Sequence, residues 1–368
     1  MEPVVTRERP IYFSFFMFDS NTRLYDVRSR ASYLEHMRVL AESGYSGFEL
    51  HLGRSTETAM AYPRYADEVQ AYATLRRTLD ESGLGHIALA TNAGATPVLD
   101  PSSRDPNIRQ AALEFLRSRV DITAALRGEI MMGPVVIPYG AFVCSAPNGD
   151  PVWSDALQAE LDQRYQLAAA VLEELGEHAR AQGVKVAIEP ISHWETPGPN
   201  KLSQLLPFLR SVRCPQIGAI IDSAHETLDG DGPEEFALQV AELSAAGRLH
   251  YVQASPPDRG DLEHSWIPWE PLFQPLLAHY AGPVAIEIFN AVPDFAAGLR
   301  LSRRKYWIPG IDAPSALPSA YDVARGSLRK LRAEFARLER STSDDAAAAS
   351  GTVRTGAAGT PSKTAAAE

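Results

Sequence analysis

The chain has 368 residues, of which 45% are hydrophobic and 22% are charged, and its formal net charge is −11. An acidic chain without long basic runs argues against a nucleic-acid or an anionic-membrane partner, because both need a basic face. No apolar run approaches a membrane span, no secretory signal is evident, and the two cysteines form no disulfide framework, so we expect a cytoplasmic protein.

Short apolar runs recur along the chain and predict eight β-strands. In chain order they cover residues 11–18, 47–52, 86–91, 130–138, 184–191, 217–222, 249–255 and 283–289. Amphipathic stretches lie between them, and several end in glycine, which is typical of a helix C-terminus. Strands that alternate with helices pair in parallel, so eight such units predict an α/β protein of the (β/α)8 TIM-barrel type. A doubly wound open sheet is the alternative, but no Gly-rich phosphate loop follows the first strand.

Three regions are expected along the chain. Residues 1–10 form an N-terminal extension, residues 11–340 form one catalytic barrel domain, and residues 341–368 form a tail. The tail is rich in Ala, Gly, Ser and Thr, and Val353 is its one larger apolar residue. Such a segment buries too little apolar surface to offset the entropy cost of ordering, so we predict that it is disordered.

The ends of the last four predicted strands point to function, because chemistry in a parallel barrel collects at the C-terminal ends of its strands. These ends carry Glu189, Asp222, Gln253 and Glu287. The steps between them are 33, 31 and 34 residues, one βα unit each, so we expect the four side chains at equal heights on adjacent strands. Three carboxylates in one volume repel each other unless a cation lies among them, and oxygen ligands favour hard ions such as Mn²⁺ or Mg²⁺. The alternative is that they are ordinary loop-edge acids paired with Lys or Arg.

Four segments resemble the xylose-isomerase-like superfamily of sugar isomerases and epimerases, and especially the ketose 3-epimerases related to D-tagatose 3-epimerase. They are EPISHWET (189–196), IIDSAH (220–225), VQASPPDRG (252–260) and AIEIF (285–289). Their order and spacing follow the family, and the resemblance covers about residues 11–338. It implies a divalent-metal enzyme that acts on a sugar.

The resemblance also implies a role for each matching residue. The positions that match metal ligands are Glu189, Asp222, Gln253 and Glu287, and the expected cofactor is Mn²⁺ or Mg²⁺. Of these, Glu189 and Glu287 also match the acid/base pair on either side of a sugar carbon. The positions that match contacts with the sugar hydroxyls and carbonyl are Glu195, His225 and Arg259.

Two positions depart from the epimerase pattern. The family has a histidine where this chain has Gln253, which can still offer a neutral oxygen, and an arginine where it has His193. A histidine exchanges protons near neutral pH, so His193 is a candidate catalytic residue; the alternative is a structural histidine that hydrogen-bonds a backbone carbonyl.

A second branch of the superfamily fits these departures. The large subunits of bacterial C-glycoside deglycosidases use a divalent metal and a histidine base to cleave the carbon–carbon bond of 3-oxo C-glycosides, together with a small β subunit. The stretches FSFFMF (13–18) and EPISHWETP (189–197) resemble that branch. A deglycosidase subunit is therefore the first prediction, and a ketose 3-epimerase is the alternative.

Both reactions begin with removal of a proton next to a carbonyl, and a cation stabilises the enediolate that results. An epimerase needs two bases that straddle the carbon, and Glu189 and Glu287 could serve. A deglycosidase needs an acid for the aglycone and room for an aromatic group. Aromatic side chains that could line such a site are Phe15, Trp194, Trp266 and Trp269, with core packing as the alternative for each.

Two other functional classes are less favoured. The superfamily includes zinc nucleases that cut at abasic sites, but nine histidines, the charge of −11 and Gln253 argue against that activity. A non-enzymatic sugar-binding barrel would have lost its metal carboxylates, and this chain retains them. We further expect an oligomer, and we expect the segment over 298–323 to close the site, meet a partner or pack against the barrel rim.

Overall fold

The computed structural model describes residues 9–18, 27–52, 64–141, 154–291 and 304–352, with side chains in the first and last helices described from residue 30 and up to residue 341. Eight parallel strands form a closed barrel in sequential order, so the predicted architecture is confirmed. The strands are β1 (Ile11–Ser14), β2 (Gly47–His51), β3 (Ala88–Asn92), β4 (Ile130–Gly133), β5 (Lys185–Ile188), β6 (Ile217–Asp222), β7 (Leu249–Ala254) and β8 (Val284–Ile286).

Helices connect the strands. They are α1 (Val27–Glu42), α2 (Tyr65–Glu81), α3 (Pro106–Ala125), α4 (Asp155–Gln182), α5 (Leu202–Ser211), α6 (Ser223–Asp229), α7 (Pro233–Ala245), α8 (Trp269–His279) and α9 (Ala320–Thr352). Local signals set their ends: the side chain of Ser154 accepts the Leu157 N–H at the start of α4, and Gly183 ends that helix with a φ of 71°. No helix among these is both long and apolar enough to span a membrane.

Several strands are shorter than the apolar runs that predict them. The run over 130–138 continues past β4, but Pro134 follows Gly133 and lacks the N–H that a ladder needs. Pro190 similarly follows β5, and Phe15–Met17 form a buried 3-10 turn after β1. As a result Glu189 and Glu287 lie directly after the ends of β5 and β8 rather than inside them.

Two layers of side chains fill the barrel, because alternate residues of each strand point inward. The inner apolar layer is one buried cluster of Ala90, Met132, Ala187, Ile220, Tyr251 and Ala285, with Tyr12 packed against it. Gly47 makes room for Tyr12, since a Cβ at that position would lie 2.5 Å from the tyrosine ring. A polar layer lies two positions further along the strands, and each of its members is at most 6% exposed. The members are Ser14, Glu49, Asn92, Glu189, Asp222, Gln253 and Glu287. The candidate site therefore lies directly above close-packed apolar side chains.

The two predicted end regions differ from expectation in detail. α9 continues through Thr352, so it extends over residues 341–352, the first part of the tail that the sequence predicts to be disordered. A run of four alanines over 346–349 lies in this part, and alanine has the highest helix propensity. Residues 353–368 lie outside the described part of the chain. At the other end, the carbonyl of Pro10 accepts the Val284 N–H at 3.0 Å, so contacts with the barrel begin within the predicted extension.

Only part of the predicted closing segment over 298–323 is described. From residue 304 onward it packs on the barrel: the side chain of Asn290 donates to the Tyr306 carbonyl at 2.9 Å, and the Trp307 N–H donates to the Pro318 carbonyl at 3.1 Å. Residues 298–303 lie outside the described residues. The described part of this segment therefore packs against the barrel rim.

Candidate active site and metal centre

Asp222 ends β6 and uses its two carboxylate oxygens differently. Oδ1 accepts the backbone N–H of Ala224 at 2.9 Å, which caps the N-terminus of α6. Oδ2 accepts from Arg259 and lies 3.6 Å from Nε2 of His225. The cap fixes the rotation of the carboxyl group, so that Oδ2 is held toward the centre of the barrel mouth.

His225, in the first turn of α6, has a defined orientation. Nη2 of Arg259 lies 2.8 Å from Nε2, and because a guanidinium can only donate, Nε2 is the acceptor. In a neutral ring Nδ1 then carries the proton, and Ser192 Oγ lies 2.8 Å away to accept it. The Ser192 N–H lies 3.1 Å from both Nδ1 and a carboxylate oxygen of Glu195, and we assign it to the carboxylate.

Three buried side chains can hold a metal ion together. One ligand atom from each of Glu189, Asp222 and His225 lies within 4.8 Å of the others. Nε2 of His225 is 3.5 Å from Oε1 of Glu189, and its Nδ1–H is anchored on Ser192, an arrangement common for metal-binding histidines. The donor set therefore fits a divalent cation, provided that the guanidinium of Arg259, which donates to Nε2 of His225 and to Asp222, moves off these two atoms when the cation binds. His225 was expected to contact the sugar, and the structure places it among the possible ligands.

Gln253, another predicted ligand, is anchored by its amide nitrogen. Nε2 lies 3.0 and 2.9 Å from the two carboxylate oxygens of Glu49 and 3.1 Å from Oε1 of Glu287. Its Oε1 is buried and has no hydrogen-bond partner among the described residues. A buried amide oxygen without a partner is a donor atom that suits a hard cation, which is a second observation in favour of a metal here.

Glu49 of β2 is a buried carboxyl group that the sequence analysis missed. Besides Gln253, its Oε1 accepts from Ser14 Oγ at 3.1 Å and from Asn92 Nδ2 at 3.4 Å, so both neighbouring strands hold it. Burial raises its pKa to about 7, an effect that the hydrogen bond from Gln253 opposes and the charge of Glu189 reinforces. The signal was available, because Glu49 follows an inner-layer position by two residues, as the other acids of the polar layer do.

Glu287 and Arg259 link the eighth strand to the rest of the site. Nη1 of Arg259 donates to Oε2 of Glu287 at 2.6 Å and also to Asp222, while the guanidinium stacks 5.0 Å from the centroid of Phe289. Burial raises the pKa of Glu287 well above its ordinary value, and Arg259 opposes that shift. Burial would lower the pKa of Arg259, but the carboxylates of Asp222 and Glu287 raise it instead. Arg259 is therefore a charged member of the site, as its predicted role requires.

Glu195 also faces the site. It is 6% exposed, and its Oε2 lies 3.7 Å from Nδ1 of His225. Burial raises its pKa, and the charges of His225 and Arg259 oppose the shift. The structure thus brings Glu195, His225 and Arg259, the three predicted sugar contacts, next to the predicted ligands.

His193 does not join this group. Its side chain is 70% exposed, and its partner among the described residues is Asp229 at the end of α6, which lies 2.5 Å from Nδ1 and also accepts the His193 backbone N–H at 2.9 Å. The loop after β5 turns the histidine outward, whereas Glu195 in the same loop turns inward. The sequence predicts His193 next to the metal carboxylates, but the structure places its side chain on the surface.

The predicted aromatic side chains are spread over three environments. Phe15 is 1% exposed and stacks on Tyr33 at 5.1 Å within the core, which is the alternative stated for it. Trp194 is 40% exposed beside His193, and Trp266 is 94% exposed. Trp269 begins α8 and packs on Phe273 at 5.3 Å. The described contacts bring none of the four against the carboxylates.

Comparison with known proteins identifies the family. A profile of the xylose isomerase-like TIM barrel family matches residues 37–305. The chain belongs to this family. Among solved structures, an Anabaena variabilis protein, whose assignment as a sugar phosphate isomerase/epimerase is itself provisional, is 51% identical, with a TM-score of 0.85 over 90% of this chain and 100% of the other.

Two curated relatives of this xylose isomerase-like barrel are more distant. A ketose 3-epimerase of Arthrobacter globiformis is 25% identical over 62% of this chain and 73% of its own length. An L-ribulose 3-epimerase of Mesorhizobium japonicum is 26% identical over 73% of this chain and 80% of its own length. Both are sugar epimerases, the class that was the alternative in the sequence analysis.

Proposed function

We propose that this protein is a divalent-metal sugar epimerase that exchanges the proton on a carbon next to the carbonyl of a ketose. The observation that carries the proposal is the convergence of Glu189, Asp222 and His225 within 4.8 Å, with Glu287 joined to Asp222 through Arg259. The names of the curated relatives add that the exchanged carbon is C3 and that L-ribulose is a suitable first substrate.

Different residues of the site serve proton transfer and sugar binding. Glu189 and Glu287 lie at the ends of β5 and β8, with two strands between them, so they can face the reacting carbon from opposite sides. One removes the proton and the other returns a proton to the opposite face, which inverts the centre. Arg259 and Glu195, both buried beside His225, are placed to bind and orient sugar oxygens.

A cation in this site would be held by Glu189, Asp222 and His225, with the free Oε1 of Gln253 as a further oxygen donor. When bound, it supplies positive charge that stabilises the negative charge developing on the carbonyl oxygen during proton removal. Mn²⁺ and Mg²⁺ suit a set that is mainly oxygen. The apolar layer below the site excludes water from that side and strengthens these electrostatic interactions.

Cleavage of a 3-oxo C-glycoside is the less favoured function. The sequence favours it through His193, but that side chain is exposed and paired with Asp229. A single experiment distinguishes the two. The Mn²⁺-loaded protein is offered L-ribulose in deuterated water and, separately, a 3-oxo C-glycoside. Deuterium at C3 together with the epimeric ketose supports the proposal. Release of aglycone without any exchange into ketoses would contradict it.

A further inference from the structure

The amide of Gln253 has two ends of nearly the same shape, and only one of them can bind a cation. A histidine ligand presents a ring nitrogen to the metal. A glutamine can instead present an NH₂ group, which repels a cation. Something in the site must therefore select the end of the amide that faces the metal.

Glu49 has the position and chemistry to make that selection. Both of its carboxylate oxygens lie within 3.0 Å of Nε2 of Gln253 and accept from the N–H end of the amide. Oε1 of Glu287 accepts from the same nitrogen at 3.1 Å, so both amide hydrogens have acceptors. The opposite orientation would place Oε1 of Gln253 against three carboxylate oxygens.

Glu49 is itself held in place. Ser14 Oγ and Asn92 Nδ2 donate to its Oε1 at 3.1 and 3.4 Å from the two strands that flank β2. Glu49 and Gln253 are both 0% exposed, so no solvent competes for their hydrogen bonds. Oε1 of Gln253 is left without a partner among the described residues, which is unfavourable for a buried polar atom unless a ligand such as a cation binds it.

We propose that Glu49 is a positioning residue that holds Gln253 with its carbonyl oxygen available to the cation. The inference rests on the metal centre proposed above. It assigns a function to Glu49 in β2, outside the four segments that carry the family resemblance, and Glu49 acts entirely through Gln253.

A double-mutant cycle on metal affinity tests this. The protein is stripped with EDTA and titrated with Mn²⁺, and free Mn²⁺ is followed by its EPR signal in Glu49→Leu, Gln253→Ala and the double variant. Glu49→Leu should weaken Mn²⁺ binding about 10- to 100-fold, as is typical when a group that orients a ligand is lost. In the Gln253→Ala background the same change should have an effect of less than about twofold, since the ligand it orients is gone.

The matched control is Glu68→Gln. Glu68 is also a buried glutamate, but it pairs with Arg119 away from the site, so its substitution should lower the Tm without changing Mn²⁺ affinity. If Glu49→Leu does not fold, Glu49→Gln serves, because it keeps the volume and one acceptor. Its smaller loss of affinity should likewise vanish in the Gln253→Ala background.

Two outcomes would overturn the inference: wild-type Mn²⁺ affinity in the Glu49 variants, or losses that multiply in the double variant, which would make Glu49 a ligand or a purely electrostatic contributor. The titration uses no sugar. A protein that shows the coupling but turns over no ketose refutes the proposed epimerase activity and leaves this inference intact, while epimerisation without coupling refutes this inference alone.

Discussion

Nε2 of Gln253 on β7 lies 2.9 Å from Oε2 of Glu49 on β2, although these strands are not neighbours in the barrel. The hydrogen bond crosses the interior and joins a predicted ligand to a carboxyl group on the far side. Through Glu287 and Arg259 the same chain of contacts reaches Asp222 and His225. The side chains of the polar layer therefore form one network of hydrogen bonds and ion pairs, and removal of one member should perturb the others.

Glu287→Gln should lower kcat for ketose epimerisation by a factor on the order of 10² or more, because it removes one of the two proton-transfer groups. The shape of the side chain is kept, so the circular dichroism spectrum should not change. Glu270→Gln is the control, since Glu270 is 64% exposed on α8 and lies outside the network. Near-normal turnover in Glu287→Gln would exclude this glutamate from the chemistry, and Glu189→Gln should behave in the same way.

Asp222→Asn should separate the two functions of this residue. Asparagine caps a helix as well as aspartate does, so α6 should remain intact, whereas the negative charge on the metal side is lost.

In the wild type, EDTA should abolish activity and Mn²⁺ or Mg²⁺ should restore it better than Zn²⁺. Bound cation at about 100 times its Kd should also stabilise the fold by about 2.7 kcal/mol. The Mn²⁺-induced rise in Tm should be largely absent in Asp222→Asn, and an undiminished rise would place the ion elsewhere.

Arg259→Met should destabilise the metal-free protein more than the Mn²⁺-loaded protein. Its guanidinium donates to Asp222, Glu287 and Ser255, and without it two buried carboxylates face each other with no positive charge. Bound Mn²⁺ supplies part of the missing charge. Thermal unfolding with EDTA and with Mn²⁺ measures the difference, and an equal loss of Tm under both conditions would contradict the argument.

His36 should make stability depend on pH below neutrality. It is 3% exposed, stacks on Phe18 and bonds to Tyr321, and burial lowers its pKa from 6.5 to about 4. Because the folded-state pKa is depressed, its contribution to stability is fully present above pH 6.5 and is lost as the pH falls toward 4. The full loss is about 3 kcal/mol.

Urea unfolding between pH 7.5 and 4 tests the contribution of His36. The His36→Gln variant, which can keep a hydrogen bond to Tyr321, should be less stable than the wild type at pH 7.5 but should lose less of its stability on acidification. His264→Gln, at an exposed position beside Asp261, should follow the wild-type curve. A His36→Gln curve parallel to that of the wild type would show that this ring is not the group responsible.

The barrel was predictable because each strand is a compact apolar run with its own boundary signals. The residues at the ends of strands five to eight were predictable for the same reason: a fixed spacing of one βα unit places them at one height. Glu49 obeys the same rule on β2, but it lies outside the four segments on strands five to eight that resemble the family. Its partner on β7 identifies it in the structure.

The loop and side-chain conformations could not be predicted from spacing. His193 and Glu195 are two residues apart, yet one is exposed and the other buried, because after β5 the backbone leaves the strand and the alternation of period two no longer applies. Arg259 reaches four side-chain partners from a backbone with a φ of 56°, a conformation that no sequence pattern signals for an arginine.

The inner apolar layer closes the lower end of the site, which leaves one opening at the barrel rim. Its six side chains are each at most 1% exposed and close the barrel below the carboxylates, so a sugar that enters from the rim must leave by the same opening. Substrate and product therefore exclude each other, and each should be a competitive inhibitor of the opposite direction. A cation held by Glu189, Asp222 and His225 would have to leave through the same opening, so metal exchange should slow as the ketose concentration rises.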